Sequence, residues 1–181
     1  MFARQTGWPR CWLMTDERIG DRLWEAIDRL PIGDGGVVVR HYHLPPAERA
    51  LLAERVAEIC RRRGLLLSVA KDAELARRSS AKLVHHPEAV VDDLPFSRPV
   101  HDLAQAARAR AEGAALVFVS PVHETRSHPD SKPLSREMTK KIVHTAACPA
   151  IALGGMDARK FARAQKDGFY GWAAIDAWIR T

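Results

Sequence analysis

Short apolar runs alternate with longer amphipathic stretches along most of the chain. The clearest run, LVFV at residues 116–119, turns polar abruptly at Ser120 and Pro121. Comparable runs lie at 11–14, 37–39, 65–69, 82–85, 98–100, 149–153 and 172–175. Uninterrupted apolar runs of this length are typical of strands buried on both faces of a parallel sheet. The pattern predicts eight strands, the one over 98–100 mainly from its place in the repeat.

The stretches between these runs predict helices. Residues 45–63 are the clearest example, because apolar positions recur at helical spacing after two prolines and stop at Gly64. Further helices are predicted over 19–30, 72–78, 103–111, 136–145 and 157–166, the last with Asp157 as its N-cap. Alternating strands and helices require a parallel sheet with right-handed crossovers. Eight such units favour a closed α/β barrel of the (β/α)8 TIM type over an open sheet.

Length and composition narrow this prediction. A chain of 181 residues fits one domain over 1–181, and a TIM barrel of this size must have shortened helices and loops. The formal charge of +6 favours anionic partners. The arginines are scattered over helical faces without interleaved aromatic residues, so nucleic acid is not an expected partner.

Cysteine usage and hydropathy indicate a location. The three cysteines, Cys11, Cys60 and Cys148, show no metal-ligand spacing and fit a reduced, cytoplasmic chain. No apolar run has the length of a signal peptide core or a membrane span, so neither export nor membrane insertion is expected. The sequence leaves open whether the chain forms a homo-oligomer.

The loop after the run at 116–119 contains groups suited to a phosphate. Ser120, Thr125, Arg126 and Ser127 supply hydroxyl and guanidinium donors. Active sites of TIM barrels form at the C-terminal ends of the strands, where this loop is predicted to lie. An ordinary polar connection is the alternative interpretation.

Polar or flexible residues follow other strands as well. Gly154 and Gly155 can bring backbone N–H groups close to a phosphate, although a tight turn explains them equally well. Arg40, at the tip of strand two, is the expected anion ligand. His85 and His101, at or near the ends of strands four and five, are the histidines expected to contact substrate.

The string FVSPVHETRSHPDSKPLSREM, followed by CPAIALGGM, resembles the thiamine phosphate synthase and thiazole tautomerase family of TIM barrels. Shorter pieces agree in order along the chain: LMTDE, VVVRHY, LVHHPE, PVHDLAQA and GWAAIDAW. The resemblance implies a transferase of thiamine biosynthesis that joins hydroxymethylpyrimidine diphosphate to thiazole phosphate and releases pyrophosphate. It implies Mg²⁺ as the cofactor that bridges the leaving group, and small phosphorylated thiazole and pyrimidine molecules as partners.

The resemblance also implies roles for individual residues. Residues 125–127 correspond to the loop that contacts phosphate groups, and residues 154–155 to the diglycine that holds the thiazole phosphate. Arg40 corresponds to the arginine near the pyrimidine diphosphate, and His85 and His101 to histidines on strands four and five. All three are therefore candidate catalytic residues.

The sequence departs from the family pattern around the metal. The strand-three motif Asn-Asp-Arg falls on Ala70, Lys71 and Asp72, which leaves Asp72 as the candidate magnesium ligand. The glutamine and lysine that usually flank the strand-two arginine are replaced by Val38 and Tyr42.

Two further interpretations stay open for this reason. The tautomerase branch needs proton transfer on a thiazole carboxylate phosphate and no diphosphate site. Its histidine falls on Pro121 here, and we hypothesise that His123 replaces it as the acid/base catalyst. The third interpretation is a catalytically inactive homologue that binds a phosphorylated ligand.

Overall fold

Eight parallel strands form a closed barrel in chain order in the computed structural model, which describes residues 7–126 and 131–179. Each strand pairs with the next, and the last pairs with the first. The strands are Cys11–Met14 (β1), Gly35–Val39 (β2), Leu66–Ala70 (β3), Leu83–His85 (β4), Phe96–Val100 (β5), Leu116–Val119 (β6), Ala150–Leu153 (β7) and Gly171–Ala174 (β8). This topology confirms the predicted TIM barrel.

Short helices cover the outside of the barrel. They are Leu23–Asp28 (α1), Pro46–Arg63 (α2), Ala73–Arg78 (α3), Leu103–Ala111 (α4), Arg136–Ala146 (α5) and Ala158–Ala164 (α6). Short 3₁₀ segments span Glu17–Arg22, which is kinked at Gly20, Gln165–Asp167 and Asp176–Trp178. Within residues 7–126 and 131–179, no helix has the length and apolar character needed to cross a membrane.

Side-chain caps fix where four of these helices begin. Each cap accepts a hydrogen bond from the backbone N–H three residues further on, which satisfies a donor that the first helical turn leaves open. The caps are Asp72 for α3, Asp102 for α4, Ser135 for α5 and Asp157 for α6. The predicted N-cap at Asp157 is confirmed.

Most elements begin and end within two residues of their predicted bounds, and two of the differences have a clear structural cause. The single helix expected over 19–30 is instead a 3₁₀ turn followed by α1, because Gly20 has a left-handed φ of 48° that interrupts the helix. Strand β5 begins at Phe96, earlier than expected. Its added residues complete the ladder with β6, where Ser97 lies opposite Leu116.

Aromatic rings fill the interior of the barrel. The rings of Trp12 and Phe118, on strands that do not pair, meet edge to face with centroids 5.6 Å apart, and both side chains are fully buried. A Cβ at Gly36 would lie 2.6 Å from the Trp12 ring, so only glycine fits beside it. The rings of Trp12 and Phe118 therefore fill the barrel interior beneath the C-terminal ends of the strands.

Candidate functional site

The C-terminal ends of the strands enclose a cavity of about 610 Å³. Its walls come from β1, β2 and β5 to β8 and the loops that follow them. Within the described ranges, the ends of β3 and β4 contribute no lining residue. Seven predicted site residues line the cavity: Arg40, His101, Ser120, Thr125, Arg126, Gly154 and Gly155. The structure thus brings together most of the residues that the sequence singled out.

The loops that follow β6 and β7 are joined along their backbones. The N–H of Val122 donates to Leu153 O at 2.9 Å, and the N–H of His123 donates to Gly154 O at 3.1 Å. These bonds continue the β6–β7 ladder beyond the last strand residues. The two loops therefore form one connected wall of the cavity.

This close approach requires both glycines. Gly154 has a φ of 99°, and a Cβ there would lie 2.9 Å from the Cα of Pro121. Gly155 has a φ of 57°, and a Cβ there would overlap the carbonyl oxygen of Glu124. Packing against the β6 loop alone is enough to require Gly154 and Gly155. The same packing holds their backbone at the cavity wall.

Two cationic side chains lie on this wall. Arg126 is exposed on the β6 loop, and Lys160 lies in the first turn of α6, where Asp157 Oδ1 accepts a hydrogen bond from its backbone N–H at 2.8 Å. The Lys160 ammonium group donates to Gly155 O. Arg126 and Lys160 both line the cavity. We refer to Arg126, Gly154, Gly155 and Lys160 as the phosphate side of the mouth.

Sequence reasoning missed Lys160, Glu124 and Asp176, all of which line the cavity. The sequence contains a signal for Lys160. With Asp157 as the N-cap, Lys160 is the third residue of the helix, and its side chain points back toward the helix N-terminus and the turn before it. Glu124 and Asp176 follow β6 and β8, at the end of the barrel where this fold carries its functional groups.

His101 has a defined tautomer. Its Nδ1 lies 2.7 Å from the carbonyl oxygen of Ser120, and a carbonyl can only accept a hydrogen bond. Nδ1 therefore carries the hydrogen, and Nε2 of the neutral ring is an acceptor. Since His101 lines the cavity, its imidazole is suited to take a proton from a ligand there.

Arg40 is held at the lip of the cavity by β1. Its Nε donates to Thr15 O at 2.8 Å, and its Nη2 donates to Asp16 Oδ2 at 2.9 Å. Burial raises the pKa of Asp16, but hydrogen bonds from Arg18 and the charge of Arg40 outweigh this and lower the pKa below its usual range. Arg40 thus has a fixed position and a partly neutralised charge.

His85 is separated from the cavity. Its side chain is buried in the barrel, with Nδ1 2.9 Å from Ser97 Oγ and its ring packed edge to face on Phe118. Burial, with smaller contributions from neighbouring cations, lowers the pKa of His85 to about 3. The imidazole is therefore neutral at physiological pH and supports the floor of the site.

The sequence predicted two further site residues on the β6 loop, His123 and Ser127. His123 is partly buried, and burial, followed by the charge of Lys160, lowers its pKa. Its side chain is not among the lining groups of the described residues. Ser127 lies outside the described residues.

The residues present do not fit a magnesium ion at Asp72. Its Oδ1 accepts the N–H of Leu75 at 2.8 Å as the cap of α3, and its Oδ2 lies 3.7 Å from Arg49 Nη1. Asp93, on the loop after β4, accepts hydrogen bonds of 2.7 and 2.8 Å from Arg77. Among the described residues, no three His, Cys, Asp or Glu side chains are grouped as metal ligands.

Comparisons with known proteins agree with this architecture. The family described as thiamine monophosphate synthase matches residues 11–178. The thiamine-phosphate synthase of Methanoculleus marisnigri is 30% identical, with 92% of this chain and 85% of that protein aligned. The thiamine-phosphate synthase of Bacillus velezensis is 28% identical over 72% of this chain, but only 63% of its own length is covered.

A solved structure shows the same fold. The thiamine phosphate pyrophosphorylase from Pyrococcus furiosus superposes with a TM-score of 0.79 at 21% identity, covering 95% of this chain and 88% of that one. The family match spans all eight strands of the barrel. The chain therefore belongs to the thiamine monophosphate synthase family.

Proposed function

We propose that this chain is a transferase of the thiamine phosphate synthase type, which couples hydroxymethylpyrimidine diphosphate with thiazole phosphate. One observation carries the proposal: the cavity brings the Gly154–Gly155 turn, Arg126 and Lys160 onto one wall. A phosphate needs donors and positive charge arranged in this way. Membership of the family supports the choice of a thiazole phosphate as the ligand.

The coupling reaction makes defined demands on the site. The carbon–oxygen bond to the diphosphate breaks, a carbon–nitrogen bond to the thiazole forms, and pyrophosphate leaves with the electron pair. Cationic groups must face the leaving group, because negative charge develops on it. Arg40, at the lip opposite the phosphate side, has the charge and the fixed position for this role. No step is assigned to a metal, since the donor set at Asp72 does not fit one.

A turnover assay tests the proposal directly. Purified protein is mixed with both substrates in a buffer that contains Mg²⁺, and thiamine phosphate is measured by fluorescence after oxidation. We expect product, and we expect Arg126→Ala to raise the KM for thiazole phosphate about tenfold, as loss of one charged hydrogen-bond donor does.

Arg110→Ala is the matched control, because this exposed guanidinium lies in the last turn of α4, just before β6, at the opposite end of the barrel. Its KM should be unchanged. A protein that binds thiazole phosphate but forms no product would contradict the transferase proposal.

The geometry of His101 favours one second candidate, isomerisation of a thiazole carboxylate phosphate. That reaction removes a proton from one ring position and returns one to another, without a leaving group. Nε2 of His101 can accept the proton because Nδ1–H is held by Ser120 O. His101 lines the cavity and His123 does not, so His101 replaces His123 as the preferred acid/base catalyst.

Isotope exchange distinguishes this candidate from a transferase and from an inactive homologue. The isomerisation should incorporate deuterium from D₂O into the product, and His101→Gln should abolish both incorporation and turnover. His123→Gln, in the adjoining loop, should keep at least half of the activity. A protein that binds thiazole phosphate but catalyses neither reaction would be an inactive homologue.

A further inference from the structure

The ends of β2 and β3 are bridged by a buried arginine. Arg49, in the first turns of α2, donates from Nε to Arg40 O at 2.8 Å and from Nη2 to Ala70 O at 2.6 Å. Only 11% of its side chain is exposed. Two backbone carbonyls on different strands therefore fix the guanidinium in place, and its charge is a permanent feature of this edge.

Asp72 and Asp93, two of the carboxylates near the expected metal position, already have cationic partners. Asp72 uses one oxygen to cap α3 and directs the other toward Arg49. Both oxygens of Asp93 are held by Arg77. A divalent cation at Asp72 would have to approach a fixed guanidinium, and two like charges at such short range repel strongly. These carboxylates act as partners of arginine.

A further cation lies beside them. Lys71 replaces the carboxylate of the family pattern, and its Nζ lies 5.0 Å from the centre of the Tyr42 ring. The charge of Lys71 also acts on His86, after the larger effects of burial and Arg98, to lower the pKa of that imidazole. We refer to Arg40, Tyr42, Arg49, Lys71 and Asp72 as the β2–β4 rim. Within this rim Arg49 pairs with Asp72, while Arg40 pairs with Asp16 outside it.

We propose that the β2–β4 rim binds the diphosphate of the substrate directly through cationic side chains, without a divalent cation. Lys71 donates to the phosphate oxygens, and Arg49 supplies fixed positive charge while keeping Asp72 from acting as a metal ligand. Lysine and arginine are established phosphate ligands in proteins. The inference rests on the proposed function for the identity of the diphosphate substrate.

Binding of inorganic pyrophosphate tests the inference without requiring turnover. Affinity is measured by titration calorimetry in EDTA, and again with Mn²⁺ in place of EDTA. Protein-bound Mn²⁺ is counted by electron paramagnetic resonance before pyrophosphate is added. We expect binding in EDTA and no Mn²⁺ bound to the protein alone. Lys71→Ala should weaken pyrophosphate binding about tenfold, since one charged donor is lost.

Asp72→Asn gives the sharpest contrast, because asparagine can still cap α3. If the rim works through cations, this variant binds pyrophosphate in EDTA as tightly as the parent or more tightly, because a negative charge has been removed. Asp28→Asn is the control. Asp28 also faces an arginine, with Oδ1 3.5 Å from Arg63 Nη1, but it lies at the opposite end of the barrel, where α1 ends before β2.

Three results would overturn the inference. The first is pyrophosphate binding only with Mn²⁺, together with loss of that binding in Asp72→Asn. The second is no pyrophosphate binding under either condition. The third is pyrophosphate binding by Lys71→Ala that equals that of the parent. Failure of the coupling assay by a protein that binds pyrophosphate in EDTA would count against the proposed function alone.

Discussion

The two sides of the barrel mouth use arginine in different ways. On the β2–β4 rim, the guanidinium of Arg49 is consumed by backbone carbonyls and a carboxylate, so that it holds strand ends together. On the phosphate side, Arg126 is exposed at the wall of the cavity. Burial and bonding partners, more than residue type, therefore determine whether an arginine supports the fold or is available to a ligand.

The largest expected effect comes from closing the space beside Gly155. Gly155→Ala introduces a Cβ that overlaps Glu124 O at a left-handed φ of 57°. We expect a loss of about 3 kcal/mol in the free energy of unfolding, from backbone strain together with overpacking. Thiazole phosphate binding should also be lost. Urea denaturation and calorimetry measure the two effects.

Gly113→Ala is the control for that change. Gly113 has a left-handed φ of 77° after α4, but a Cβ there would meet no atom within 4 Å. Only the conformational cost applies, and we expect about 1 kcal/mol with unchanged ligand binding. Equal losses in the two variants would show that the contact between the β6 and β7 loops is unimportant.

Replacing the two arginines separately tests the comparison itself. Arg49→Met removes the donors to Arg40 O and Ala70 O, and we expect a loss of about 2 kcal/mol in the free energy of unfolding. Arg126→Met should change stability by less than about 0.5 kcal/mol, because the side chain is exposed, while weakening thiazole phosphate binding. The opposite pattern would reverse the roles assigned to these arginines.

Buried His85, beneath the cavity, should make the free energy of unfolding depend on pH. Burial lowers the pKa of His85 to about 3 in the folded protein. In the unfolded chain the same imidazole binds a proton near pH 6.5, whereas in the folded protein it stays neutral at that pH. Stability contributed by neutral His85 is complete above about pH 6.5 and decreases as the pH falls toward 3. The slope should reach about 1.4 kcal/mol per pH unit.

His85→Gln should flatten this slope while retaining a polar partner for Ser97. Denaturation in urea at several pH values between neutral and mildly acidic measures the difference. His144→Gln, on the exposed surface of α5, is the control and should follow the parent. A parent slope that survives in His85→Gln would assign the pH dependence to other groups.

The smallest expected effects come from replacing one lysine on each side of the barrel mouth and comparing the affinities for two ligands. Lys160→Gln should weaken thiazole phosphate binding about threefold to tenfold, since Lys160 contributes charge at the wall and a bond to Gly155 O. Lys71→Gln should leave that affinity unchanged and weaken pyrophosphate binding. If each variant weakened the binding of both ligands, the two sides would form a single anion site.

The barrel could be predicted from sequence because most strands are short apolar runs followed by a polar or glycine residue. The start of β5 was the least predictable feature of the barrel, since Arg98 and Pro99 interrupt the apolar pattern and pairing with β6 determines where the strand begins. The break at Gly20 was also hidden, because an amphipathic pattern carries no information on a left-handed φ.

The site was predictable as a set of loop positions but not as a set of contacts. The sequence indicates that Gly154 and Gly155 either bind a phosphate or form a tight turn, whereas their contacts with Pro121 and Glu124 depend on how two loops pack. The partner of Asp72 was not predictable either. Arg49 lies 23 residues before it and reaches it only because α2 begins beside the ends of β2 and β3.

The backbone bonds that join the β6 and β7 loops have a consequence for the thermodynamics of binding. Val122 and His123 order this wall when the chain folds, and Leu134 N–H adds a bond of 2.9 Å to Pro121 O. The conformational entropy of the wall is therefore lost during folding and does not have to be lost again on association. A phosphorylated ligand should bind this preorganised wall with a small change in heat capacity, unlike one that orders a disordered loop.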